Sequence, residues 1–245
     1  MIHGPLSDDF FWYDESESYP EFQEHWDNHN SSPSADDWGW DEWGDLVVFR
    51  PVHHEPNYRY PLVVWLSQDE VAGVTLRDWF PELSERNYLG AEIGCPGQTP
   101  TTQLIDQVSV AIREIAAIYR VHPHRVWIAG VGVAADQVVQ ILMASPALVR
   151  GGIAIAPTGL AATASEQSAA LHNTREVRDK SLYLATESNL DPARVESFLE
   201  DWDLRGGHSQ QTAWESTLAS RLAICNDLNG WLMQQVCTPA ETDTR

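Results

Sequence analysis

A chain of 245 residues with 43% hydrophobic content can fill the core of one sizeable α/β domain. Its net charge of -21 disfavours nucleic-acid phosphate and anionic membranes as partners, and no run approaches the roughly 18 apolar residues that a membrane span requires. Three cysteines far apart in the chain (Cys95, Cys225, Cys237) and no basic-then-apolar leader suggest neither a disulfide framework nor a metal knuckle, and the sequence reads as soluble and cytoplasmic.

The charge is unevenly spread. Residues 1–45 hold thirteen Asp and Glu and no Lys or Arg, which leaves 23 acids against 15 cations in the rest. Such an arm reads as solvated and irregular, with short helical turns around Tyr19 to Trp26. Its five tryptophans (Trp12, Trp26, Trp38, Trp40, Trp43) argue against pure disorder. The domain then runs over 46–238 and a polar tail over 239–245.

Leu46 to Phe49 is a short β-rich run closed by Arg50-Pro51. Leu62 to Leu66 is continuously apolar, with β-branched and aromatic residues, and reads as a strand buried on both faces. Arg77 to Ser84 suits a short helix. Tyr88 to Ile93 is a second strand, stopped at Gly94. Thr99-Pro100 carries a hydroxyl at the N-cap and proline at the first helical position. Leu104, Val108, Ile112, Ile115 and Tyr119 follow at spacings of three and four, so the spacing predicts a helix over 101–119.

The chain is organised around Arg125 to Ala135. A short apolar strand, Val126 to Ala129, breaks at Gly130-Val131-Gly132 and passes into an apolar-periodic helix, Val133 to Ala144, with Val138, Ile141 and Leu142 on one face. Gly152 to Ala156 is a further strand. Thr158 to Asn173 is rich in Ala, Ser and Thr and reads as a loop or weak helix. Ser181 to Thr186 is a strand, and Asp191-Pro192 repeats the cap-plus-proline start for a helix over 193–201. Gln210 to Trp214 is a weak last strand, and Leu222 to Val236 the closing helix. Strands alternating with helices in this way predict a doubly wound, mostly parallel sheet.

From about Arg50 to Val236 the chain resembles the α/β-hydrolase superfamily, in its phospholipase/carboxylesterase and dienelactone-hydrolase-like branch. The residues that carry the resemblance are Tyr60 to Leu66, Tyr119 to Gly130 (with His122-Pro123-His124) and Gly230-Trp231-Leu232-Met233. It implies a nucleophile elbow, G-x-S-x-G, at Gly130 to Ala134. Glycine, Gly132, stands where the serine belongs. Counting back from Trp231-Leu232, the catalytic histidine falls on Leu218. The acid is implied near Asn189 to Asp191, but Asp191 also suits the N-cap of the helix begun by Pro192. After Leu66, Ser67-Gln68-Asp69-Glu70 replaces the usual His-Gly of the oxyanion loop, and two carboxylates there oppose an anion. Acyl transfer needs all of these parts.

The resemblance therefore implies a catalytically degenerate hydrolase serving as an interaction, scaffold or assembly subunit. An alternative is an ester hydrolase with relocated groups, Ser67 and the displaced base His208 of Gly206-Gly207-His208. Another is an acidic mimic that occupies a basic partner surface. In the arm, Trp38, Trp40 and Trp43 stand among five carboxylates between Asp36 and Asp45. They either fold back on the core or form a recognition segment for a protein partner or for self-association into a homo-oligomer.

No cofactor is indicated. Gly130-x-Gly132 lacks the third glycine and the downstream acid of a dinucleotide fingerprint. His53-His54 with Glu55, His122-x-His124, and the i,i+4 pair His25 and His29 supply no complete tetrahedral set, and no metal is assigned.

Overall fold

The computed structural model describes residues 39–43, 46–68, 74–80, 82–84, 86–96, 99–160 and 177–237. The expected turns at Tyr19 to Trp26, together with Trp38, His25, His29, Asp69, Glu70, most of Thr158 to Asn173 and the tail 239–245, lie outside them. Of Trp43 only the backbone is described.

Eight strands form one sheet among the described residues: β1 (Trp40–Trp43), β2 (Leu46–Phe49), β3 (Tyr60–Ser67), β4 (Leu89–Gly94), β5 (Val121–Val131), β6 (Gly151–Ile155), β7 (Ser181–Glu187) and β8 (His208–Trp214). Their order is β1-β2-β4-β3-β5-β6-β7-β8. The pairs β1–β2 and β2–β4 are antiparallel, and every other pair is parallel. Pro61, which cannot donate to a ladder, sits where the register of β3 on β5 shifts between Tyr60 and Leu62.

The sheet is covered on both faces, and β3 shows how the sequence achieves it. Leu62, Val64 and Leu66 join one apolar cluster, Val63 and Trp65 the other, because successive side chains alternate across a strand. The first cluster is completed by α2 (Thr101–Ile118), α3 (Val133–Ala144) and α4 (Pro192–Leu204), through residues such as Val108, Ile141 and Phe198. The second is closed by α1 (Leu76–Trp79) and α5 (Leu218–Cys237), through Trp79, Leu228, Trp231 and Leu232. This is the doubly wound, mostly parallel α/β architecture expected from the alternation of elements.

Local differences have local causes. The short helix expected over Arg77 to Ser84 is the single turn α1. Phe80 leaves it with extended backbone (φ -104°, ψ 137°), the conformation that the following proline imposes. Thr99 does not cap α2; its hydroxyl donates to the Pro96 carbonyl at 2.8 Å. Helix α5 starts at Leu218, ahead of the apolar period, because the Thr217 hydroxyl accepts the Ser220 N–H at 3.1 Å.

The sheet also reaches into the stretch that composition groups with the arm. Strand β1 pairs Trp40 with Phe49 and Trp43 with Leu46. The Trp40 ring stands edge-on to Phe49 at 5.1 Å, and the Arg77 guanidinium lies 4.7 Å over it. Glu42 pairs with Arg77 at 2.7 Å, and Asp41 accepts the Tyr119 hydroxyl. Compactness divides the chain at the same place, into Met1–Asp37 and Trp38–Arg245.

The three thiols differ in environment. Burial pushes Cys95 up to about 11 and Cys225 up to about 12, while Cys237 is exposed. Because the thiolate is the reactive form, an aromatic disulfide reagent at neutral pH should modify Cys237 rapidly in the native protein and the two buried thiols only after denaturation. Fast reaction of all three in the native state would contradict this core.

Candidate functional site

The elbow is built by one close approach. A Cβ placed on Gly130 would lie 2.8 Å from the backbone of Ala134, so glycine at the end of β5 lets α3 start directly against the strand. Gly132 turns the chain with φ 64° and ψ -127°. Its N–H donates to the Ile155 carbonyl at 2.8 Å, fastening the turn to β6. Space around a Gly132 Cβ is open to 4 Å. Asp136, buried in the first turn of α3, accepts the Thr158 N–H (3.1 Å), the Thr158 hydroxyl (2.7 Å) and the Gly159 N–H (2.9 Å). Those bonds clamp the loop after β6 over the start of α3.

Above the elbow lies a pocket of about 680 Å³, within the range of small-molecule sites. It opens at the carboxyl ends of the parallel strands, where open α/β sheets place their ligands. Gly132 forms part of the floor, and Leu218 stands on the rim with 63% of its surface exposed. Glu187 and Asn189 enter from the end of β7, Trp214 from the end of β8, and Arg221 from the first turn of α5. Among the described residues no histidine lines it.

No family model matches the chain, and no curated protein sequence does either. Solved structures do. The Bacillus cereus carboxylesterase aligns with a TM-score of 0.54 at 11% identity, over 77% of this chain and 93% of that one. Thermogutta terrifontis esterase 2, solved phosphoramylated by tabun, aligns with a TM-score of 0.57 at 11% identity, over 80% and 91%. Porphyromonas gingivalis dipeptidyl peptidase 4 gives 0.57 at 13% identity; the alignment covers 77% of this chain but only 33% of the peptidase. The chain has the α/β-hydrolase fold.

On that fold the candidate residues separate. Gly132 and Leu218 share the pocket, as do Asn189 and Leu190 from the segment where the acid is implied. Asp191 is not among the lining residues. It is exposed and caps α4, accepting the Ala193 N–H at 3.1 Å with Arg194 Nε 3.7 Å away. The relocated pair fails on position. Ser67 is buried at the carboxyl end of β3, whereas His208 opens β8 beside Ser181, at the amino ends of the parallel strands. By register Ser67 is level with Thr212, four residues beyond His208 or about 13 Å along the strands, and β8 lies four strand spacings from β3, roughly 19 Å across the sheet, so His208 cannot serve as base to Ser67.

Of the histidines weighed for metal, His54, His122 and His124 are engaged in other contacts. His54 stacks on Tyr60 at 5.0 Å, and His122 faces His124 at 6.2 Å with Arg125 and Arg59 nearby. Burial beside Arg125, His124 and Arg59 holds His122 below the usual histidine range. No group of three or more metal-ligating side chains occurs among the described residues. Sequence reasoning passed over Asp136, Thr158, Glu187, Trp214 and Arg221. Arg221 carried no local signal, because the helix that places it was expected to begin only at Leu222, whereas it begins at Leu218.

The backbone at Gly132 gives a graded test. Because a side chain there meets open space, substitution should cost only the strain of a positive φ, about 1–3 kcal/mol. Urea unfolding should rank the losses Gly132→Asn below Gly132→Ser below Gly132→Val, following tolerance of that region. Equal losses, or a Gly132→Asn variant that fails to fold, would contradict the geometry.

Proposed function

We propose that this chain is a catalytically inactive α/β-hydrolase-like protein of the cytoplasm that acts as an interaction, scaffold or assembly subunit. One observation carries the reading: glycine occupies the turn of the elbow, and no histidine lines the pocket above it among the described residues. The hydroxyls at hand, on Thr158, Ser216 and Thr217, have no histidine base among the described lining residues, and a hydroxyl without a base is a weak nucleophile. A cytoplasmic setting accords with three unpaired cysteines. No helix among the described residues is long and apolar enough to cross a membrane.

The esterase reading with Ser67 and His208 gains nothing from the geometry. An organophosphorus adduct on Thermogutta terrifontis esterase 2 makes that protein a suitable positive control. This chain should neither release p-nitrophenol from p-nitrophenyl acetate above background nor label with a fluorophosphonate. Gly132→Ser alone should remain inactive, and Gly132→Ser with Leu218→His should recover detectable turnover. Stoichiometric labelling of the natural chain would end the inactive reading.

The interacting element is the acidic, Trp-rich arm, with a protein partner or a second copy of the chain on the other side. Trp40 is committed to Phe49 and Arg77, so the recognition role passes to tryptophans before β1, Trp38 included. Removing residues 1–37 should leave the sheet intact and weaken self-association in sedimentation. Removing 1–45 should also unfold or aggregate the body, because it strips β1 from β2, Asp41 from Tyr119 and Glu42 from Arg77. If the shorter deletion leaves association and partner capture unchanged, the arm is not the interacting element.

A further inference from the structure

We infer that the pocket above the elbow binds a small monocarboxylate with an apolar body, and that Arg221 receives the carboxylate. The inference rests on reading the pocket as catalytically inert, so that a ligand is retained and not turned over. Its first support is Arg221 itself. The side chain is partly buried on the pocket wall, and its Nε is buried with no hydrogen-bond partner. In a chain whose charge is -21, it makes no ion pair with any described residue. A planar guanidinium without an ion-pair partner matches a carboxylate in shape as well as charge.

The second support is the placement of that cation. Arg221 lies in the first turn of α5, a helix of 20 residues whose first turn carries no acid. A cation at the positive end of a helix is on the unfavourable side of the dipole. An anion in front of it removes that conflict. The start of α3 opens on the same pocket through Gly132, and its first-turn acid, Asp136, is turned to Thr158 and Gly159.

The remaining wall sets the rest of the ligand. Val74, Val131, Leu190 and Trp214 offer apolar surface. Glu187, held by the Asn189 amide at 2.9 Å, is the one carboxylate among the described lining residues. It would repel a second negative charge, which selects a monocarboxylate over phosphate.

The test uses the full chain and four probes in titration calorimetry: phenylacetate, 2-phenylethanol, 2-phenylethylamine and inorganic phosphate. Phenylacetate should saturate with a Kd of about 1 mM or tighter, and the alcohol, the amine and phosphate should bind at least roughly ten-fold more weakly. Arg221→Gln should weaken phenylacetate roughly ten-fold or more, with Arg221→Lys between it and the natural chain because a point charge lacks the planar fork. The probe comparison on the natural chain needs no variant, so a poorly folding Arg221→Gln does not block the test.

Equal binding of the alcohol would reduce the site to an apolar hole, and preference for the amine would give it to Glu187. Preference for phosphate, or absence of phenylacetate binding, would equally overturn the inference. Turnover is read separately, as p-nitrophenol release from p-nitrophenyl phenylacetate. Release would defeat the inactive reading, while silence without binding would defeat only the carboxylate site.

Discussion

The contact between Gly130 and the backbone of Ala134 is the constraint on which the rest depends. With no Cβ at Gly130, α3 begins one residue after the strand has turned, so Val138, Ile141 and Leu142 reach the sheet. The same helix meets β6 through a second close approach, where a Cβ on Gly152 would lie 2.5 Å from the Leu142 side chain. Two small residues thus set the depth of α3 on the middle of the sheet. Positive φ at Gly132 follows from that depth, because the chain has only one residue in which to reverse from β5 into the helix. The sharp turn is accordingly required by packing and does not depend on any chemistry placed there.

That argument explains what was legible in the sequence. The elbow and α3 could be read to the residue, since a strand, two glycines and an apolar period of 3.6 are all local signals. Leu62 to Leu66 could be read for the same reason. Strand β1 could not. Trp40-Asp41-Glu42-Trp43 looks like more acidic arm, and its stability comes from distant residues: Phe49 and Arg77 under the indole, Tyr119 on Asp41. The start of α5 was hidden because its first turn projects over the pocket, where no apolar face is needed and Leu218 stays exposed.

The site divides along the same line. Gly132 and Leu218 could be located by their spacing from landmarks of the resemblance, and the fold carries both to one pocket. His208 shows how proximity in sequence misleads. Gly206-Gly207-His208 has the composition of a catalytic turn, yet it precedes β8, and the direction of a parallel strand puts it at the far rim of the sheet. Glu187, Trp214 and Arg221 come from three elements that share no local pattern, so only the folded sheet brings them together.

Glycine at the turn has an energetic side. A serine at the turn would hold an unfavourable backbone conformation, with strain of about 1–3 kcal/mol, and active sites retain such strain because the chemistry needs it. Glycine removes that cost and leaves the Gly132 N–H bonded to the Ile155 carbonyl. It also leaves the pocket empty above the floor, since nothing lies within 4 Å of where a side chain would project. The Asp136 clamp on Thr158 and Gly159 keeps the mouth shaped. What persists is a walled cavity with two helix amino ends and an uncompensated guanidinium at its edge. Positive potential of that kind stabilises an oxyanion in a hydrolase. On the inactive reading proposed above, the same potential acts on whatever anion arrives already formed.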